Sequence, residues 1–423
     1  MAPWIMGTSG WSAFFISIVF LSVDLYRRKA NPALHKIWLL WAGLIVFLVI
    51  SLLNPSYSEI TVEEGILFAY NSSVTWLPSV VSQSRSTPMI FQFTGTFVLA
   101  WSVLATFRER RRLYRKLLFF CICNASLLAL VGAFLKLLGA ENPLGFFRSV
   151  NTSFFASFTY HNHWVAFAGL ALFAATGLFI YHLKKSQHDR IDFNQLSLLA
   201  ALGFFLLLSL LLVESRTGLL VMGIYLACLV LSVAFFRNRE GKVLSKITIS
   251  AVLGLLVLGC LSLLISEKAI EKMTKEYKIA WYALRSPDRD VDSFRFNHSP
   301  KIVVSLIKDK PINGWGWGSY HYAMKRYSSK YIGNNVIVQY AHCDWLQFLA
   351  ELGVIGFFLF ITPIIYLICK YRESDPVATW VCMGLSVILF MALFEYPLSN
   401  PAVLSHFMVG LFGSIGLRSA NCV

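Results

Sequence analysis

The chain has 423 residues, of which 57% are hydrophobic and only 14% charged, with a mean hydropathy of +0.63. An ordinary soluble domain carries about 25% charged residues, so a soluble globular protein is excluded, and an aromatic content of 15% excludes intrinsic disorder. What remains is a polytopic membrane protein, whose net charge of +15 is loop charge beside a bilayer rather than a nucleic-acid footprint.

A transmembrane helix needs about 17–25 mostly apolar residues. Eleven stretches qualify, near 6–25, 37–53, 89–106, 117–138, 163–182, 195–213, 217–236, 247–266, 345–369, 377–395 and 401–417. Each is expected to be helical, because an open strand in lipid leaves backbone groups unsatisfied. Met1 to Gly10 has no basic n-region, so the first run reads as a retained span rather than a cleaved signal. Of the eight cysteines, six lie in apolar stretches and only Cys343 and Cys422 outside them, which is not a disulfide framework.

The loops set the orientation. Twenty Lys and Arg follow odd-numbered spans, the densest cluster being Arg108, Arg110, Arg111, Arg112, Arg115 and Lys116. Connections after even-numbered spans carry four, namely Arg85, Lys136, Arg148 and Arg216, if the one long loop is set aside. The basic side is cytoplasmic by the positive-inside rule, so the N-terminus is expected outside and the C-terminus inside. The expected architecture is therefore all-α, one integral membrane domain over 1–423 with about eleven spans, or twelve. One large external loop, 267–344, is inserted between spans 8 and 9, and a smaller external loop covers 54–88.

Inside the large loop, Glu267 to Arg285 spaces its apolar residues as an amphipathic helix. Pro300 to Lys310 reads as a second helix that Pro311 ends. Asn313 to Gly318 is a tight turn without the spacing of a nucleotide-binding glycine motif.

Few residues carry chemistry. Arg216, in Glu214-Ser215-Arg216-Thr217-Gly218, joins two apolar runs with almost no loop, where a guanidinium costs about 2.5–3.5 kcal/mol at bilayer depth. It either pairs with Glu214 or lines a cavity for an anion, since planar Arg grips phosphate oxygens. Arg295 lies just ahead of the loop's second helix, a position that by itself reads as solvated surface. His342 stands at the outer end of span 9 and is the side chain best suited to take a proton near neutral pH. Asp344, two residues on, is off its face, which leaves Gln347 or Glu351 to orient the ring. His161 and His163 flank Asn162 at the start of span 5, and Glu395 ends span 10; both places fit cavity-lining residues. No ligand cluster with metal spacing accompanies the histidines.

Taken in order, these segments resemble the O-antigen ligase/polymerase family of bacterial inner-membrane glycan transferases. The resemblance rests on Tyr160-His161-Asn162-His163, Ser215-Arg216-Thr217-Gly218, Arg295 and Lys310-Pro311-Ile312-Asn313-Gly314-Trp315-Gly316. It continues through His342-Cys343-Asp344-Trp345-Leu346-Gln347, Glu351-Leu352-Gly353-Val354-Ile355-Gly356 and Phe394-Glu395-Tyr396-Pro397-Leu398, covering roughly residues 150–415. It implies a metal-independent, inverting transfer at the periplasmic face of the inner membrane. The donor would be a glycan on undecaprenyl diphosphate and the acceptor lipid A–core. His342 would be the general base, and Arg216 and Arg295 the diphosphate-binding cations. His161, His163, Glu351 and Glu395 would line the cavity. No cofactor, metal or nucleic acid is implied, and the remaining partners are membrane lipids.

A polymerase of the same family shares these catalytic parts and differs in its acceptor, as would a ligase that glycosylates protein. The 13 basic against 8 acidic residues of 267–344 favour a phosphorylated acceptor such as lipid A–core. A transporter is the alternative from another class, but the paired broken spans of two repeated halves are not evident.

Overall fold

The computed structural model describes residues 32–62, 65–71, 73–107, 110–145, 154–185, 193–237, 299–327, 339–370 and 375–418. Among them are eleven α-helices and one β-hairpin. The helices are α1 (Pro32–Leu53), α2 (Gln83–Phe107), α3 (Arg111–Leu137), α4 (His161–Lys185), α5 (Phe193–Leu212) and α6 (Arg216–Arg237). Two short helices follow, α7 (Ser299–Asp309) and α8 (Tyr320–Ala323), and then α9 (Asp344–Lys370), α10 (Pro376–Met391) and α11 (Pro401–Arg418). Within α2, α3, α4, α5 and α9 lie five stretches long and apolar enough to cross a membrane, and the apolar parts of α1, α6, α10 and α11 are shorter. Nine of the eleven expected spans thus coincide with helices. The other two, 6–25 and 247–266, lie outside the described residues, as does the amphipathic segment 267–285.

Helix starts follow their sequence signals. Asp375 accepts the N–H groups of Val377 and Ala378 at 2.9 and 3.2 Å, and Asn400 those of Ala402 and Val403 at 3.0 and 3.3 Å. In each case a proline follows the cap, where its missing N–H costs no bond. Helix α2 begins at Gln83, six residues before the expected span, because Ser82 caps it by accepting the Arg85 N–H at 3.3 Å. The external loop expected at 54–88 is not all loop. Tyr57–Val62 (β1) and Gly65–Tyr70 (β2) pair antiparallel, from Tyr57 opposite Tyr70 to Val62 opposite Gly65.

The chain divides into two compact units. Unit 1 comprises Met1–Tyr114, Pro287–Ala378 and Ala392–Val423. Its membrane core is aromatic: Trp41 stacks on Phe412 at 5.2 Å and meets Phe97 edge-on at 4.8 Å, while its indole N–H donates to the Phe360 carbonyl. Outside the spans, Ile302, Val303 and Leu306 of α7 form one buried face packed with Val81, Trp315, Tyr320 and Met324. Positions i, i+1 and i+4 lie on one side of a helix, as the helix reading of 300–310 requires.

Unit 2 comprises Arg115–Ser286 and Thr379–Met391. Its centre is α4, 83% buried along its apolar window, whereas α5 is 28% buried and so lies at the edge. Trp164 of α4 stacks on Phe155 at 5.1 Å and donates its indole N–H to Ser209 at 3.2 Å. Further along α4, Phe173 and Thr176 both meet Tyr225 of α6.

Candidate functional site

The start of α9 is held by polar groups from the start of α7, from α9 itself and from residues 395–399, all in unit 1. Ala341 donates its N–H to the Gln347 side-chain oxygen at 2.9 Å, and its carbonyl accepts the Ser299 hydroxyl at 2.8 Å. Asp344 is fully buried; one carboxylate oxygen accepts the Leu398 N–H and the other the Ser399 hydroxyl, both at 2.7 Å. Its own N–H donates to the Glu395 carbonyl at 3.1 Å. Between these anchors His342 has φ of +54°, a left-handed conformation that a residue with a β-carbon adopts at a cost. The surrounding bonds over-determine it.

The same anchors bring residues 394–399 against the histidine. The Glu395 carboxylate, 3% exposed, lies 3.8 Å from His342 Nδ1, an ion-pair distance rather than a hydrogen bond. The imidazole stands edge-on to Tyr396 at 5.0 Å, and Tyr396 stacks on Tyr340 at 4.4 Å. A quarter of the His342 side chain stays exposed, so the ring is both fixed and reachable. Burial pushes the Tyr340 phenol above its ordinary range, while the Arg85 guanidinium pulls it the other way.

Orientation of the ring by Gln347 or Glu351 is not what the structure has. Gln347 is turned to Ala341. Glu351 is buried, and its two oxygens accept the N–H groups of Tyr320 and Gly318, each at 2.9 Å. The Gln347 amide adds a third contact at 3.4 Å. Glu395 is the carboxylate beside the histidine, and nothing in the spacing of 342 and 395 announces it. Asp344, set aside because it is off the His342 face, instead ties the two segments together. A hollow beside Gln347 and Glu351 is walled by Phe93, Trp317 and Phe348, with Gln92 and Ser399 as further polar lining.

Glu351 belongs to a splice between the 310–318 turn and a break in α9 at Gly353. In an unbroken helix Val354 and Ile355 would donate to Ala350 and Glu351. Here they donate to Pro311 and Ile312, at 2.9 and 3.2 Å, and the freed carbonyls of Ala350 and Glu351 accept the N–H groups of Trp315 and Gly316. Gly353 has φ of +62° and ψ of −175°, a region reserved for glycine. A β-carbon there would come within 2.2 Å of the Ile312 oxygen. The Lys310 ammonium bonds the Ser79 hydroxyl at 3.0 Å and lies over the Trp315 ring, and burial lowers its pKa.

In unit 2 the Arg216 turn is fixed from the start of α4. Asn162, 4% exposed, accepts the Ser215 hydroxyl at 2.5 Å and donates to the Tyr160 hydroxyl at 3.0 Å. Ser215 in turn caps α6, accepting the Gly218 N–H at 3.4 Å. Arg216 is the first residue of α6 and is exposed. Glu214 has φ of +52° and pairs with Lys136 at 3.1 Å. His161 and His163 both pack on the Tyr160 ring, at 4.9 and 5.2 Å. Among the described residues no group of three His, Cys, Asp or Glu could hold a metal ion.

The structure thus gathers His342 and Glu395 in unit 1, with Glu351 of α9 held by the N–H groups of Gly318 and Tyr320, and Arg216, His161 and His163 in unit 2. Arg295 lies outside the described residues; Ser299, four residues after it, is the group pinned to Ala341. Sequence reasoning passed over Asn162, Tyr396 and Arg85 as possible parts of a site, and each sits beside a residue it had named. Apolar helices carrying buried, hydrogen-bonded polar turns at their ends define a polytopic membrane protein with a built polar site. A family model described as O-antigen ligase matches residues 201–361, which take in Arg216, Arg295, His342 and Glu351. This similarity over residues 201–361 supports the O-antigen ligase/polymerase family, one of glycosyltransferase-like enzymes. Comparison with curated proteins finds no match.

Proposed function

We propose that the protein is an O-antigen ligase-type glycosyltransferase. It moves a glycan from undecaprenyl diphosphate to lipid A–core at the periplasmic face of the inner membrane. The observation that carries this reading is the His342 turn: a strained, partly exposed imidazole beside a buried carboxylate.

The acceptor hydroxyl attacks C1 of the donor sugar and gives its proton to His342. The bond from C1 to the diphosphate oxygen breaks, the leaving group keeps the electron pair, and the anomeric centre inverts. Diphosphate is a stable leaving group, so no general acid is needed; Arg216 and Arg295 carry its negative charge, as fixed guanidinium groups do without reorganising. Glu395 stabilises the imidazolium that forms, from 3.8 Å. A general base of this kind contributes about 10²–10⁴ in rate.

The test is reconstitution of the purified chain with undecaprenyl-diphosphate glycan and lipid A–core in EDTA, with products read on a gel. The wild type is expected to shift the lipid A band, and His342→Ala and His342→Gln to lose the shift while keeping abundance and membrane insertion. Full activity of His342→Ala refutes the base assignment. Lengthening of carrier-linked chains without any acceptor replaces the ligase with a polymerase, and turnover of neither kind favours a transporter.

A further inference from the structure

One end of unit 2 is charged and has no part in the proposed chemistry. Arg115 and Lys116 stand in the second turn of α3, and Lys184 and Lys185 close α4. The two helices meet there through a defined pair. The Arg115 guanidinium lies 3.9 Å from the centre of the Tyr181 ring, and its Nη1 donates to the Tyr181 hydroxyl at 3.2 Å. Residues three and four apart share a helix face, so Lys184 and Lys185 stand one turn beyond Tyr181 on the side that meets Arg115. The carboxylates of the described residues of unit 2, Glu141 and Glu214, lie at the other end of α3, where Glu214 pairs with Lys136.

What continues from these cations is an apolar stripe, not a polar pocket. Phe120, four residues after Lys116, is 67% exposed, and Leu127, Leu130 and Phe134 follow at 60, 43 and 60%. Their spacing keeps them on one side of α3. A cation cluster at the head of an outward-facing apolar stripe matches an amphiphile with an anionic head, whereas a free anion makes no use of the stripe.

We infer that this end of unit 2 holds the phosphate of an anionic phospholipid whose acyl chain lies along α3. Stacking on Tyr181 fixes the plane of the Arg115 guanidinium, and the lysines add positive charge beside it.

The test is native mass spectrometry of the full chain released from nanodiscs of phosphatidylglycerol or of phosphatidylcholine, with affinity measured by lipid titration. The wild type is expected to retain phosphatidylglycerol selectively. Lys184→Gln with Lys185→Gln is expected to weaken it about 25-fold, about fivefold per charge removed. Arg115→Lys, which keeps the charge and loses the planar stack, is expected to weaken it too, while Arg326→Gln leaves it unchanged. Equal retention of the two lipids, or wild-type affinity in the lysine variant, overturns the site. Displacement of phosphatidylglycerol by inorganic phosphate alone would assign the cluster to a free anion and overturn the lipid reading.

Discussion

Replacing Glu351 tests whether the 310–318 turn is latched onto α9 as the geometry describes. Its two carboxylate oxygens each accept one backbone N–H, from Gly318 and Tyr320, both at 2.9 Å, in a position 2% exposed. A hydrogen bond to a charged group contributes about 1.5–3 kcal/mol, and a buried N–H left unmet loses a similar amount. Glu351→Ala therefore costs about 3–6 kcal/mol, with Gly318 and Tyr320 both stranded. Glu351→Gln is the sharper probe. Its single amide oxygen can accept only one of the two N–H groups, and its NH₂ then faces the other, donor against donor. The expected penalty is at least half that of alanine, although the side chains are isosteric. Thermal unfolding of the purified chain in detergent, monitored by tryptophan fluorescence, reads it directly, since Trp315 and Trp317 lie in the turn. A glutamine variant that unfolds at the wild-type temperature would show that Glu351 is not the acceptor for both groups, and the latch would be wrong.

Other perturbations reach the remaining parts. Gly353→Ala places a β-carbon within 2.2 Å of the Ile312 oxygen and 2.5 Å of the Gly314 nitrogen, so the splice must open; a lower unfolding temperature and new protease sensitivity near 311–318 are expected. Glu395→Gln removes the charge 3.8 Å from His342 without changing its shape. With screening at a quarter-exposed ring, about a tenfold fall in kcat at unchanged donor KM is expected, and a KM effect alone would count against it. Asn162→Ala breaks the 2.5 Å bond to Ser215 and loosens the turn carrying Arg216. It is expected to raise donor KM at least as much as it lowers kcat, at a stability cost of about 1–2 kcal/mol. Transfer in EDTA is expected to equal transfer without it, and loss restored by added Mg²⁺ would refute the assignment of the diphosphate charge to Arg216 and Arg295.

How much was legible in the sequence follows from which interactions are local. Hydropathy places helices because the apolar run and its caps are contiguous: Asp375-Pro376 and Asn400-Pro401 start α10 and α11 where a reader would put them. Helix α7 was equally legible, because Pro300 and Pro311 bracket it. The hairpin was not, since Tyr57–Val62 and Gly65–Tyr70 are six residues each and sit in a stretch read as a connection. Their pairing depends on a register that no single strand displays. Helix α2 was shortened in the reading because polar Gln83 to Thr87 depresses hydropathy, while the Ser82 cap extends the helix regardless.

At the site the division is the same, and it explains why residues could be named without their neighbours. His342, Arg216 and Glu351 stand out because each is a polar group where the chain is otherwise apolar, and that contrast is visible in one dimension. Their partners are not. Asp344 looks misplaced when only α9 is considered, since two residues along a helix turn a side chain away from His342. Its carboxylate reaches Leu398 and Ser399, more than fifty residues on, and through them it delivers Glu395. Glu351 looks available to the imidazole until the 310–318 turn claims both its oxygens. A buried carboxylate is held by the donors that surround it, and here those donors come from segments that meet only in the folded chain. The assignment of Glu395 to the histidine and Glu351 to the 310–318 turn is thus a tertiary fact, and the contrast between Glu395→Gln and Glu351→Gln makes it testable. The first is expected to change turnover with little effect on unfolding. The second is expected to lower the unfolding temperature first, and a reversal of that order would return Glu351 to the histidine.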